Sequence, residues 1–120
     1  STTVPVTVQY YISNQSLLYY QLNAQGNFVV NLTWSTTNSV NSILNIGQSI
    51  SVTLLITQGI TAYYNTGVTI DGTTTGVTTR WAGGTAPSFG YASGIDVYSY
   101  SIIKVADATF QILASQSQFA

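Results

Sequence analysis

The stretch FVVNLTWS, residues 28–35, alternates two sets of side chains with a period of two. One set consists of Phe28, Val30, Leu32 and Trp34, and every second residue between them belongs to the other. Because successive side chains of a β-strand point to opposite faces, this pattern predicts a strand with one buried face. Half-buried strands of this kind are typical of antiparallel sheets.

The same period recurs elsewhere in the chain. SISVTLLIT (49–57) places Ile50, Val52, Leu54 and Ile56 on one face, and ATFQILAS (108–115) does so with Phe110, Ile112 and Ala114. IDVYSYSIIKV (95–105) is rich in Tyr and Ile, which favour strands. VPVTVQYYI (4–12) is a further candidate, and its Pro5 indicates an edge strand or the beginning of a strand.

Turn-forming residues separate these runs. Asp71-Gly72 is the strongest hairpin signal, and Asp107 between the last two runs predicts a tight turn. No stretch has sustained helical periodicity, and we expect residues 35–48 to form a long loop. About seven to nine short strands with regular turns predict a single all-β domain over residues 1–120. We expect an antiparallel β-sandwich, jelly-roll-like, with a small barrel as the alternative.

Charge is scarce in this chain. Charged residues make up 4% of the sequence and the net charge is −1, against about 25% charged residues in a typical globular domain. Without a basic face we expect neither nucleic acid nor an anionic membrane as a partner. Low charge also weakens the repulsion between copies, which predicts a place in an assembly or outside a cell.

The side chains needed for most catalysis are missing. The sequence contains no His, no Cys and no Glu, so the usual nucleophile–base pairs cannot be built. The three Asp residues lie far apart in the sequence, and Asp71 and Asp107 are expected in turns. We therefore predict that the domain is not an enzyme and that it has neither a cofactor nor a metal site.

Rare residues gather in TTRWAGGTAPSFGYASGIDVYSY, residues 78–100, which contains the only Arg of the chain. Gly83-Gly84 followed by Pro87 predicts a turn with positive φ angles and then a fixed φ. Trp81 is expected at the end of a strand, with its ring over the open end of the core.

Arg80 and Asp96 are expected on the two strands that flank this turn. Because a half-buried carboxylate without a partner is costly, we predict that they form an ion pair.

Aromatic residues form a second group of candidates. Tandem Tyr pairs in strands send one ring to each face, so one ring of each pair is available to a partner. Tyr63, Tyr64, Phe89 and Tyr91 are the candidate interface or binding aromatics. We favour contacts between subunits over glycan binding, because exposed Tyr and Trp favour interfaces and the chain is poor in charge.

Four segments in order carry a family resemblance: TLLITQG (53–59), RWAGGTAP (80–87), IDVYSYSII (95–103) and FQILASQSQFA (110–120). They resemble the C-terminal module of tail-associated virion proteins of tailed bacteriophages, with cyanophage-like phages closest in character. The resemblance covers residues 47–120. It implies a non-enzymatic structural role in the virion, with the glycines and Trp of the W-x-GGTAP element acting structurally.

The main hypothesis is a virion structural protein, either a capsid decoration protein or a tail or fibre component. It would act as a homo-oligomer, with a trimer as the first expectation, and would contact other virion proteins. One alternative is a fibre-tip domain that binds a receptor or a host surface glycan. Another is an extracellular filament subunit to which the N-terminal segment adds as a strand.

Overall fold

The computed structural model describes residues 2–120 and shows a β-sandwich, as the sequence predicts. Eight strands form two sheets, one of three strands and one of five. The strands are β1 (Thr7–Tyr11), β2 (Leu17–Tyr20), β3 (Phe28–Thr33), β4 (Ser49–Thr57), β5 (Asn65–Ile70), β6 (Val77–Trp81), β7 (Ile95–Ala106) and β8 (Thr109–Phe119). A one-turn helix, α1 (Val40–Ile43), and a 3₁₀ turn, Ala82–Gly84, complete the fold.

The first six strands alternate between the two sheets. The three-stranded sheet has the order β1-β3-β5, and the five-stranded sheet has the order β2-β4-β7-β8-β6. Each crossing reverses the direction of the chain, so among the first six strands those of one sheet run the same way. The predicted antiparallel, jelly-roll-like pairing is therefore wrong for β1-β3, β3-β5, β2-β4 and β6-β8, all of which are parallel. The alternation of apolar and polar residues shows only that one face of a strand is buried. Parallel and antiparallel strands can both have one buried face, so the pattern does not determine the pairing direction.

Strands β7 and β8 form the one long hairpin and lie between β4 and β6. β7 pairs antiparallel with both β4 and β8. The hairpin closes through Asp107 and Ala108, and the φ of Ala108 is +50°. The tight turn predicted at Asp107 is confirmed.

The Asp71-Gly72 turn is also present but does not connect two strands of one sheet. Both residues have positive φ angles, 52° and 82°, as a type I′ turn requires, and Ile70 bridges to Thr73. The chain then crosses to the other sheet and begins β6. The predicted turn is confirmed, and the predicted hairpin is wrong because the strands on either side of the turn diverge.

The core lies between the two sheets and contains the residues that the alternation predicts. The buried apolar residues of β3, β4 and β8 include Phe28, Val30, Leu32, Val52, Leu54, Ile56, Phe110, Ile112 and Ala114. Tyr98 and Tyr100 of β7 are fully buried beside them, and Phe28 meets Tyr98 edge to face at 5.8 Å between ring centroids. Trp34 follows the end of β3 and packs against this core.

Three of the five charged side chains hold α1, which lies in the stretch predicted to be a long loop. Oδ1 and Oδ2 of Asp71 accept hydrogen bonds from the N–H groups of Val40 and Asn41, at 2.8 and 3.2 Å. Nζ of the buried Lys104 donates to the carbonyls of Asn41 and Leu44, at 2.7 and 3.0 Å. The Asn41 side chain donates to Asp107. The helix needs these distant partners, because one turn has little stability of its own.

Buried tyrosines make the fold sensitive to alkali. Desolvation raises the pKa of Tyr10 from 10.0 to about 12, although its hydroxyl donates to the carbonyl of Thr53, and desolvation also raises the pKa values of Tyr98 and Tyr100. Above pH 10 the unfolded chain loses these protons while the folded protein keeps them.

We therefore expect the contribution of these tyrosines to the free energy of unfolding to be constant below the ordinary tyrosine pKa of 10.0 and to fall as pH rises above it, by about 1.4 kcal/mol per pH unit for each such tyrosine. For Tyr10 the loss continues up to its folded pKa of about 12. Urea unfolding between pH 8 and pH 11 tests this, and Tyr10→Phe should lose stability less steeply. Parallel pH curves for the two proteins would contradict the assignment.

Candidate functional site

The candidate site lies at the end of the sandwich where β2, β4, β6 and β8 end and β3, β5 and β7 begin. We call this surface, formed by residues 2–6, 21–27, 58–64 and 82–94, the loop end. Hydrogen bonds join its segments: Ser93 N donates to the carbonyl of Gly59 at 2.7 Å, and Tyr64 N donates to Oδ1 of Asn27 at 3.0 Å. None of these segments contains a charged residue.

A buried hydrogen-bond network supports the loop end from below. Asp96, the second residue of β7, is 0% exposed. Its Oδ2 accepts from Nε2 of Gln58 at 2.7 Å and from Tyr91 N at 3.1 Å. The Gln58 side chain also donates to the carbonyl of Tyr63 and accepts from its N–H. One amide side chain thus joins segment 58–64 to the carboxylate that holds segment 82–94.

The predicted ion pair between Arg80 and Asp96 is wrong. Asp96 points to the inner face of the five-stranded sheet, whereas Arg80 is exposed on the outer face, where its Nε donates to Oε1 of Gln111 at 2.7 Å. The two side chains are on opposite sides of one sheet. Sequence reasoning sought a cation for Asp96 and missed Gln58, a neutral donor whose only signal was its place in the TLLITQG segment.

Gly90 makes the network possible. A Cβ at this position would collide with the carbonyl oxygen of Tyr63 and with Nε2 of Gln58. The segment therefore passes closer to the network than any residue with a side chain allows.

The turn predicted within segment 82–94 is confirmed. Gly83 and Gly84 have φ angles of 76° and 81°, and Ala82 separates them from Trp81, the last residue of β6. The Trp81 ring packs on the core and meets Tyr100 edge to face at 6.3 Å between centroids. Beyond it, a cleft of about 190 Å³ is lined by Trp81, Pro87, Phe89 and Gln116 among others. Nε2 of Gln116 donates to the carbonyl of Phe89 and to the hydroxyl of Tyr98.

The four candidate aromatics all lie on or beside the loop end but differ in exposure. Phe89 is 62% exposed and Tyr91 42%, whereas Tyr63 and Tyr64 are half-buried and Tyr63 packs against the core. The most exposed apolar residue there is Ile60, at 91%, which sequence reasoning missed.

Val6 and Leu22 are also exposed at this end and were also missed. Leu22 and Ile60 lie outside the periodic runs, where the alternation gives no signal. Val6 lies in the run 4–12 just before β1, and there the alternation groups it with the buried Val8 and Tyr10.

We also searched the described part of the chain for metal-binding groups and membrane-spanning helices. Residues 2–120 contain no group of three or more His, Cys, Asp or Glu side chains that could hold a metal ion. The same residues include no helix that is both long and apolar enough to cross a membrane. The geometry of the loop end offers hydrophobic contact area and backbone hydrogen-bonding groups.

Comparison with known proteins gives no relative. No protein-family model, no curated protein and no solved structure matches the chain.

Gly90→Ala tests the network beneath the loop end. We expect it to lower the free energy of unfolding by about 2–4 kcal/mol, because the added methyl group must displace Gln58 or the Tyr63 backbone. Gly26→Ala is the matched control, since nothing lies within 4 Å of its Cβ position, and its effect should stay within about 0.5 kcal/mol. Urea unfolding measures both, and equal stabilities for the two variants would contradict the close packing at Gly90.

Proposed function

We propose that this domain is a non-enzymatic structural protein of a bacteriophage virion and that it acts by joining copies through the loop end. The observation that carries the proposal is the composition of this surface: Val6, Leu22, Ile60, Phe89 and Tyr91 are exposed there. Exposed apolar side chains grouped together are typical of protein interaction sites. The resemblance of residues 47–120 to tail-associated virion proteins supports the viral context.

The buried network of Gln58 and Asp96 makes the loop end rigid, and this supports a role in assembly. Gln58 holds the backbone of Tyr63, Asp96 holds that of Tyr91, and Gln116 donates to the carbonyl of Phe89. A surface that is rigid before binding loses little entropy on binding. Copies that meet through this surface form a closed homotrimer in this proposal, and other virion proteins contact the remaining surfaces.

Light scattering of the purified protein tests the proposal. We expect a mass that is three times 12.8 kDa, or six times where two trimers associate, and that does not change between about 0.1 and 1 M NaCl, because the contact contains no charge for salt to screen. Ile60→Lys combined with Phe89→Lys should abolish this association, since each places a charge in an apolar contact.

Ile46→Lys is the control, because Ile46 is 66% exposed at the opposite end of the sandwich. Dissociation of the parent protein on raising the salt would contradict the proposal. Open polymers that grow with concentration would instead support the filament alternative.

Glycan binding at a fibre tip is a second candidate function, favoured by the cleft between Trp81 and Phe89. Aromatic rings with an adjacent amide, here Gln116, are groups that stack on sugars and bind their hydroxyls. This candidate predicts glycan-array binding that Phe89→Ala abolishes while thermal stability is retained. Tyr91 does not line the cleft, so Tyr91→Ala is the control and should leave the binding in place. Binding that survives Phe89→Ala would rule out this cleft.

A further inference from the structure

A second surface of the domain has the properties of an interface: the outer face of the five-stranded sheet. The inner face of β7 carries Tyr98 and Tyr100, so Val97 and Ser99 point outward between them. Along the register, Tyr19 of β2, Leu55 of β4 and Val97 lie side by side in one row. Ile95 and Phe119 lie side by side in the next row.

The outer face is almost free of charge. Among residues 2–120, the one charged side chain on this face is Arg80, which lies on the edge strand β6 and is hydrogen-bonded to Gln111. Sheets that face water normally present charged side chains, which also prevent contact between sheets. A partner for this face must therefore be uncharged itself, and a second copy of the chain supplies such a face.

Residue sizes across the face specify how two copies fit. Ser101 of β7 lies between Ser51 of β4 and Leu113 of β8, so one neighbour is small and the other is large. A two-fold axis along β7 exchanges the positions of β4 and β8. Leu113 of each copy then lies over Ser51 of the other copy.

The same complementarity holds in two further rows, beyond the row of small side chains at Ser99. Val97 lies between Leu55 and Ser117, and Ile95 lies between Thr57 and Phe119. Rotation about the axis along β7 places Leu55 of one copy over Ser117 of the other, and Phe119 over Thr57. Val97 then contacts Val97 of the other copy.

The serines at the centre of the face can be covered at low cost. The hydroxyls of Ser51 and Ser101 are hydrogen-bonded to each other at 2.7 Å, so covering them leaves only one of the two O–H groups in need of another acceptor. Ser99, Ser101 and Ser115 also line a shallow groove beside Leu113. Small side chains there let two sheets approach to about 10 Å.

The area of the face is sufficient for a stable dimer. Five strands about 4.8 Å apart, with β4 nine residues long, give a face of about 700 Å². Two such faces bury about 1,400 Å², within the range of specific interfaces.

We propose that two copies pack through the outer faces of their five-stranded sheets, related by a two-fold axis along β7. The inference rests on the proposed function in taking a second copy as the occupant, but it uses a surface separate from the loop end. Together the two surfaces join two trimers into a closed hexamer.

Exchanging the large residue Leu113 with the small residue Ser51 tests the interface. In the Ile60→Lys, Phe89→Lys background, sedimentation should show a dimer. Leu113→Ser, which leaves a gap, and Ser51→Leu, which places Leu over Leu, should each weaken it about 10- to 100-fold. The double variant Ser51→Leu, Leu113→Ser should restore the dissociation constant to within about threefold, because large again faces small. If the double variant instead loses the summed binding free energy of the two single variants, the proposed axis is overturned.

Crosslinking locates the axis independently, and the absence of native cysteine makes single thiols unambiguous. A bis-maleimide of about 8 Å should join Ser99→Cys to its own copy across sheets that pack about 10 Å apart. Thr78→Cys, on the same face but on β6, is the control, since its copies lie about 20 Å apart. A mass of three copies with no Ser99→Cys crosslink would overturn this inference and leave the proposed function standing. A monomer at all concentrations would overturn both.

Discussion

The structure depends on strand β7 and on the two polar side chains at the ends of its inner face. Asp96 binds Gln58 and Tyr91 N at the loop end, and Lys104 binds the carbonyls of Asn41 and Leu44 at the opposite end. Between them Tyr98, Tyr100 and Ile102 fill the centre of the core. Each polar end group is buried and each has hydrogen-bond partners, which is the condition for placing a charged side chain inside a protein. A single strand therefore fixes the loops at both ends of the sandwich.

This arrangement explains what the few charges of the chain do. Asp71, Lys104 and Asp107 surround α1, and Asp96 is buried beneath the loop end, so four of the five charged side chains hold α1 or the loops in place. Arg80 alone lies on the outer face. Charges used in this way stabilise particular loops, and little charge is left to keep copies of the protein apart. A neutral surface with exposed apolar residues follows directly from this distribution.

Sequence patterns predicted the strands and turns whose conformation is determined by neighbouring residues. The period of two located β3, β4 and β8, and the turn residues at Asp71 and Asp107 located two tight turns. Pairing direction was not predictable, because the alternation in FVVNLTWS is the same for a parallel and an antiparallel neighbour. Helix α1 and the Gln58–Asp96 contact depend on partners about 30 to 60 residues away, which leave no local trace. Of the candidate site, the aromatic residues were predicted and the exposed aliphatic residues around them were not.

The position of the β7–β8 hairpin has a consequence for how the chain acquires its structure. Thr7 pairs with Val29 and Leu17 pairs with Thr53, so the parallel pairs must close long loops, whereas a two-residue turn closes the hairpin. The hairpin is the cheapest pairing to form, yet it is the last part of this sequence to leave the ribosome. Until it does, β4 lacks one neighbour and β6 has none within its sheet. The nascent chain therefore exposes an apolar strand from the synthesis of β4 until that of β7, which is the condition under which chaperones bind and newly made chains aggregate.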